Sequence, residues 1–218
     1  MTNLKRVLTG FALVLFCVAT TDSLWYCIRA GIADATTLRT RFILAQYKSE
    51  GKLPIPILWQ QIQMNLQVAS KLVPESSQYY EDKAYLFALR GLGFLKYEEI
   101  SIINFQQAGA YYRLALIAKP MSGATWANLA LANYYGGKDP AEINALFDIA
   151  TSFGQHDPQT QMPLFMVGMQ QWPMLSDVRK NRLRSTYANA KGRLRQELKL
   201  LAVRHAASFC IGNPSCLD

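Results

Sequence analysis

Apolar residues recur at steps of three and four along most of this chain, which is the spacing of one face of an α-helix. The clearest stretch is ILWQQIQMNLQVASKLV, whose apolar positions are Leu58, Ile62, Leu66, Ala69 and Val73. The pattern predicts helices over 57–73, 76–95, 100–118, 126–135 and 140–154. Asp139 followed by Pro140 is typical of an N-cap and first turn, and predicts the start of the last of these helices. No stretch alternates as a half-buried strand would, so we expect an all-α protein.

Small and aromatic residues within these segments follow the order found in tetratricopeptide repeats, which are stacked helix pairs of about 34 residues. Ala108, Tyr112, Ala115 and Pro120 have the spacing of a second repeat helix, and Trp126 begins the next pair. Small residues let helix axes approach closely, and aromatic residues fill the gaps between pairs. We therefore expect a degenerate tetratricopeptide-like helical stack, with an unrelated helical bundle as the alternative.

The N-terminal segment differs from the rest because Val7–Ile28 contains one acidic residue, Asp22, and no basic residue. A helix of that length reaches about 30 Å, the thickness of a bilayer core. Trp25 and Tyr26 stand where interfacial aromatic residues are common. The sequence favours a retained transmembrane helix over a signal peptide cleaved after Ala19.

The sidedness of this anchor is suggested by the C-terminal cysteines rather than by the flanking charges, which are basic on both sides. Cys210 and Cys216 enclose a Gly-Asn-Pro sequence that predicts a tight turn. A disulfide between them would indicate an oxidising compartment, whereas two free thiols would indicate nothing about location. We expect the disulfide, and a body in the periplasm.

Four regions are predicted in all. They are a membrane anchor (1–30), a linker or helical extension (31–56), tetratricopeptide-like helix pairs (57–154), and a C-terminal basic helical cap with a cysteine-containing tail (155–218).

Catalytic and metal-binding motifs are missing from the sequence. Its two histidines, His156 and His205, lack the spacing of a metal pair, and there is no phosphate-binding loop or nucleophile elbow. A glycan-modifying enzyme would need paired carboxylates, but Asp139, Glu142 and Asp148 are better explained as helix caps and surface residues. We expect no enzymatic activity, no metal and no cofactor.

A basic segment near the C-terminus is the sharpest candidate for binding. Residues 177–207 carry nine Lys and Arg against two acidic residues, within a chain of net charge +8. The segment is either a solvated outer face or a platform for anionic glycan or lipid headgroups. Nucleic acid is not expected as a partner, because the anchor and the cysteines favour a body outside the cytoplasm.

The chain resembles the VpsP-type proteins of bacterial exopolysaccharide biosynthesis clusters. The resemblance is carried by residues 115–131 (ALIAKPMSGATWANLAL), 137–154 (GKDPAEINALFDIATSFG), 169–183 and 209–216. It implies a single-pass protein of the bacterial cytoplasmic membrane that holds membrane and periplasmic proteins together without catalysis. An accessory subunit of another envelope complex is the alternative.

On this resemblance, the expected contact set consists of partner-binding residues rather than a reaction centre. Tyr112 and Trp126 would shape the stack that receives partner proteins. Arg179, Arg182 and Arg184 would face an anionic partner, and Cys210 and Cys216 would pin the tail.

Overall fold

A computed structural model describes residues 2–50 and 53–204, and every regular element in that part of the chain is helical. This confirms the all-α prediction. The helices are α1 (Thr2–Glu50), α2 (Pro56–Leu72), α3 (Ser77–Gly93), α4 (Glu98–Ala118), α5 (Gly123–Tyr135), α6 (Pro140–Gly154), α7 (Pro158–Gln170), a 3-10 turn (Trp172–Met174), α8 (Asp177–Asn189) and α9 (Gly192–Arg204). The tetratricopeptide-like arrangement of these helices stays a prediction, and Cys210 and Cys216 lie outside the described residues.

The first compact unit is an antiparallel helix pair formed by α1 and α2. The side-chain amide of Asn65 donates to the hydroxyl of Thr40 at 3.0 Å, and Arg29 forms an ion pair with Glu75 at 3.6 Å. Buried positions of the pair recur at spacings of four, three and four residues, a coiled-coil-like seam. They are Ala33, Thr37, Thr40 and Leu44 on α1, and Ile62, Leu66 and Ala69 on α2 followed by Val73 at its C-cap; Ser70 is buried beside them.

Helix α1 continues without a break across residue 30, where the anchor was expected to give way to a linker or helical extension. Its C-terminal half packs on α2, whereas its N-terminal half presents apolar side chains outward. The region predicted as 31–56 is therefore helical through Glu50.

The second compact unit contains α3 through α9. Helix α3 packs on α4, α4 on α5, and α5 on both α6 and α7, while α7 also contacts α8 and α9. Its core has two clusters of buried side chains. One is built around Phe105, Tyr112 and Leu129, and the other around Phe147 and Phe165. Each helix thus buries one face against a neighbour in the chain, and α5 lies at the centre.

Capping residues define where these helices begin. Asp139 accepts a hydrogen bond from the backbone N–H of Ala141 at 2.7 Å, which confirms the cap predicted for α6. Asp157 caps α7 in the same way, accepting from the N–H of Gln159 at 3.1 Å. Each cap satisfies one of the N–H groups that a helix start leaves without a partner.

Helix α7 was not among the predicted helices. Its sequence, PQTQMPLFMVGMQ, is apolar without interruption from Met162 to Met169 and contains Pro163 and Gly168, so it shows no helical period. The structure explains the pattern, because α7 packs against α5, α6, α8 and α9, and every residue from Thr160 to Gln170 is buried or half-buried.

Candidate functional site

The N-terminal half of α1 is the most exposed apolar surface of the described chain. One helix there is long and apolar enough to cross a bilayer, and it lies near the N-terminus, where a signal sequence has the same character. Its large side chains are exposed; they are Phe11, Leu13, Val14, Leu15, Phe16, Val18, Leu24, Trp25 and Ile28. Exposing so much apolar surface to water is unfavourable, and a surface of this kind is typical of segments that insert into a membrane or bind another protein.

Hydroxyl groups within this apolar segment are satisfied by the helix itself. The side chain of Thr20 donates to the carbonyl of Phe16 at 3.0 Å, and that of Ser23 donates to the carbonyl of Ala19 at 2.8 Å. Polar groups in a lipid environment need such internal partners, because no water is available to replace them. The geometry of the segment is therefore compatible with a bilayer.

Tyr112 lies in the core of the second unit and is only 4% exposed. Its burial raises the pKa of the phenol, and the nearby groups Glu81, Tyr85 and Asp82 raise it further. A partner protein can therefore not touch this side chain in the folded state. Its predicted part in partner binding is restricted to shaping the helices around it.

Trp126 is partly buried and packs against both core clusters. Its indole N–H donates to the carbonyl of Pro120 at 2.7 Å, across the turn between α4 and α5. The hydroxyl of Ser122 in the same turn accepts from the N–H of Thr125 and so caps α5. The Pro-x-Ser sequence before Trp126 thus sets the direction in which α5 leaves α4.

The three arginines predicted to face an anionic partner have different surroundings. Arg179 makes a bidentate contact with Asp148 on α6, with its Nε and Nη2 atoms 3.1 and 2.5 Å from the two carboxylate oxygens. Arg184 lies over the ring of Trp172, with 5.3 Å between the guanidinium carbon and the ring centroid. Both side chains are held by the protein itself, so their charges are partly committed to structure.

Arg182 is the arginine of this group without an ion pair or ring contact in the described part of the chain. It borders a shallow pocket that is also lined by Thr151, Gln155 and Thr186. Lys191, which lies between α8 and α9, and Lys199 on α9 are exposed and likewise make no ion pair among the described residues. The positive charge available to a ligand therefore comes from Arg182 and these lysines.

A polar network between α4, α5 and α6 was not predicted. The carboxylate of Glu142 accepts from Arg113 at 3.0 Å and from the buried amide of Asn133 at 2.8 Å. This contact explains Glu142, which the sequence alone offered as a possible catalytic acid. The signal for it was weak, because the three residues come from three different helices.

Carboxylates, histidines and cysteines of the described residues form no group of three that could hold a metal ion. Asp139 caps α6, Glu142 bonds to α4 and α5, and Asp148 holds Arg179. All three carboxylates considered for glycan chemistry thus have a structural partner.

No family model, no curated protein and no solved structure matches this chain.

Proposed function

We propose that this chain is a membrane-anchored, non-catalytic scaffold that holds partner proteins in bacterial exopolysaccharide assembly or export. The main support for this proposal is the exposed apolar half of α1, because insertion of that half into a bilayer would hold the helical body at the membrane. The polysaccharide context comes from the resemblance to VpsP-type proteins. The body would lie in the periplasm, with α1 crossing the cytoplasmic membrane once.

The order of contacts in the second unit supports a tetratricopeptide-like stack. We take α3–α4, α5–α6 and α7–α8 as the pairs. Of the first helices of these pairs, α5 and α7 pack on each other, and a hydrogen bond joins α5 to α3. Thr125 on α5 donates to Glu81 on α3 at 2.9 Å, and Tyr134 on α5 donates to Gln170 on α7 at 3.4 Å. In such repeats this row of helices lines a concave surface, and such surfaces bind other proteins.

The accessory-subunit alternative shares this anchor and this stack, and differs only in the identity of the partners. A gentle detergent extraction of the full-length tagged protein from its native membrane, followed by mass spectrometry, separates the two. We expect glycosyltransferases, a polymerase or export components to co-purify. Recovery of an unrelated envelope complex would reassign the protein to that complex. Recovery of nothing beyond what an unrelated single-pass protein retains would contradict the scaffold itself.

Anionic glycan or lipid headgroups are the second proposed class of partner, bound by the segment from α8 through α9. Arg182, Lys191 and Lys199 support this, since their charges are not used inside the described part of the chain. We expect the full-length protein in detergent to bind an acidic polysaccharide with an affinity that falls as salt is added.

A matched pair of variants tests this second proposal. Arg182→Glu should weaken binding of the acidic polysaccharide several-fold, because it reverses an available charge. Arg193→Glu is the control, since Arg193 is already paired with Glu197 at 2.6 Å and lies on the same surface segment. Equal losses in both variants, or none in either, would count against a defined site.

A further inference from the structure

Helix α4 has a second apolar face that nothing in the described part of the chain covers. Ile103, Leu114 and Ile117 follow one another along this face and are 65%, 42% and 79% exposed. The exposed Gln107 and Ala110 complete the row, and all five positions are separated by three or four residues. We call these five residues the α4 stripe.

The opposite face of α4 is fully used by the fold. Phe105, Ala108, Tyr112 and Ala115 are buried against the neighbouring helices. A helix that is apolar on both sides is normally covered on both sides. The spacing of the α4 stripe is that of a seam between two helices, in which the side chains of one fill the gaps of the other.

We propose that a second copy of this chain covers the α4 stripe, with the two α4 helices antiparallel and a two-fold axis passing at Ala110. This arrangement places Ile103 of one copy opposite Ile117 of the other. The small side chain of Ala110 lies at the point of closest approach, where it lets the two backbones come together. A two-fold contact uses the same surface on both copies, so one self-complementary stripe is sufficient.

Charges at the two ends of α4 favour the antiparallel copy. Glu98 and Glu99 begin the helix and Lys119 follows its end, and none of the three makes an ion pair in the described part of the chain. In the proposed dimer, Lys119 lies within about one helical turn of the partner's glutamates. A parallel pair would instead bring like charges together, which is unfavourable.

The apolar half of α1 strengthens the association if it anchors both copies in one membrane, because confinement raises their effective concentration. The dimer itself depends only on α4. It therefore stands or falls separately from the scaffold function proposed above.

Disulfide cross-linking of the full-length chain in detergent tests the geometry directly. The four natural cysteines, Cys17, Cys27, Cys210 and Cys216, are first replaced with alanine. Ala110→Cys should then form a covalent dimer under mild oxidation, because the two thiols meet at the axis. Ser185→Cys, on the exposed surface of α8, is the control and should form little dimer.

A second pair of cysteines distinguishes antiparallel from parallel packing. Two copies of Ile103→Cys lie about 21 Å apart along an antiparallel pair, which is too far for a disulfide. Ile103→Cys should therefore not cross-link with itself, but should cross-link with Ile117→Cys when the two proteins are mixed. Self-cross-linking at residue 103 would overturn the antiparallel arrangement.

The energetic contribution of the α4 stripe is measured by light scattering of the detergent-solubilised protein over a range of concentrations. Ile117→Gln should raise the dimer dissociation constant by roughly tenfold or more, since it places a polar group in the seam. Val178→Gln, at a residue 69% exposed on α8, should leave that constant unchanged. Circular dichroism melts of both variants verify that they are folded.

Charge exchange provides an independent measurement. Lys119→Glu should weaken the dimer, and adding Glu98→Lys and Glu99→Lys to the same chain should restore it. A protein that is monomeric at every concentration, or a dimer that Ile117→Gln does not affect, would overturn the proposal.

Discussion

Replacing Gly123 with alanine should destabilise the protein, because the added methyl group would collide with the backbone of another helix. Gly123 is the first residue of α5, and Gly154 is the last residue of α6. A Cβ atom built on Gly123 lies 2.7 Å from both the Cα and the N of Gly154. The start of α5 and the end of α6 therefore touch through their backbones.

The size of the effect follows from this distance. Carbon atoms in a well-packed core are separated by about 3.5–4.0 Å, so the two helix ends would have to move apart by roughly 1 Å. Neither contacting atom belongs to a side chain that could rotate away. Overpacking of this kind costs about 1–3 kcal/mol, and the better helix propensity of alanine recovers at most about 1 kcal/mol. We expect a net loss of roughly 1–2 kcal/mol in the free energy of unfolding.

Thermal unfolding of the full-length protein in detergent, followed by circular dichroism, measures this loss. For a chain of this size, it corresponds to a decrease in Tm of roughly 2–8 °C. Gly31→Ala is the matched control, because Gly31 is also helical but has open space where its Cβ would lie. A Gly123→Ala protein that melts at the same temperature as the parent, or above it, would refute the close contact between α5 and α6.

Three further predictions concern the core and its polar contacts. Phe165→Ala should lower the free energy of unfolding by about 3–5 kcal/mol, measured by denaturant titration, because Phe165 is completely buried. Asn133→Ala should lower the free energy of unfolding by about 1–2 kcal/mol, because it removes the 2.8 Å hydrogen bond to Glu142. Glu142→Ala removes the same hydrogen bond, so the loss in the double variant should be smaller than the sum of the two single losses. Burial raises the pKa of Tyr85 from 10.0 to about 12 and also raises that of Tyr112, so the folded state keeps protons that the unfolded chain loses. The contribution of these tyrosines to the free energy of unfolding should therefore be fully present below pH 10 and should decrease as the pH rises towards 12. Thermal melts recorded across this range should show a smaller decrease for Tyr85→Phe than for the parent protein.

Helices were predictable wherever one face is apolar and the other polar. The segment 57–73 became α2, and the segment 140–154 became α6 with its Asp139 cap. In α7 the same reasoning failed, since a helix covered on all sides has no polar face to reveal its period. Both outcomes follow from how much of each helix is buried.

The sequence predicted which kinds of residue form the candidate contact set, but not what each of them contacts. A cluster of arginines is visible in the sequence, but its members differ in what they contact. Arg179 is bound by Asp148, which lies 31 positions away, whereas Arg182 has no carboxylate partner among the residues that the structure describes. The α4 stripe was hidden for a related reason, since sequence alone cannot say which of two apolar faces points into the core.

By itself, the sequence determined the features that depend on neighbours within one or two helical turns. The helical period, the Asp139 cap and the apolar character of the first segment all arise from short-range hydrogen bonds and side-chain transfer free energies. The tertiary structure alone decided which surfaces meet. The contact of Gly123 with Gly154, the burial of Tyr112 and the exposure of Ile117 depend on how separate helices pack, and packing joins residues that the sequence keeps apart.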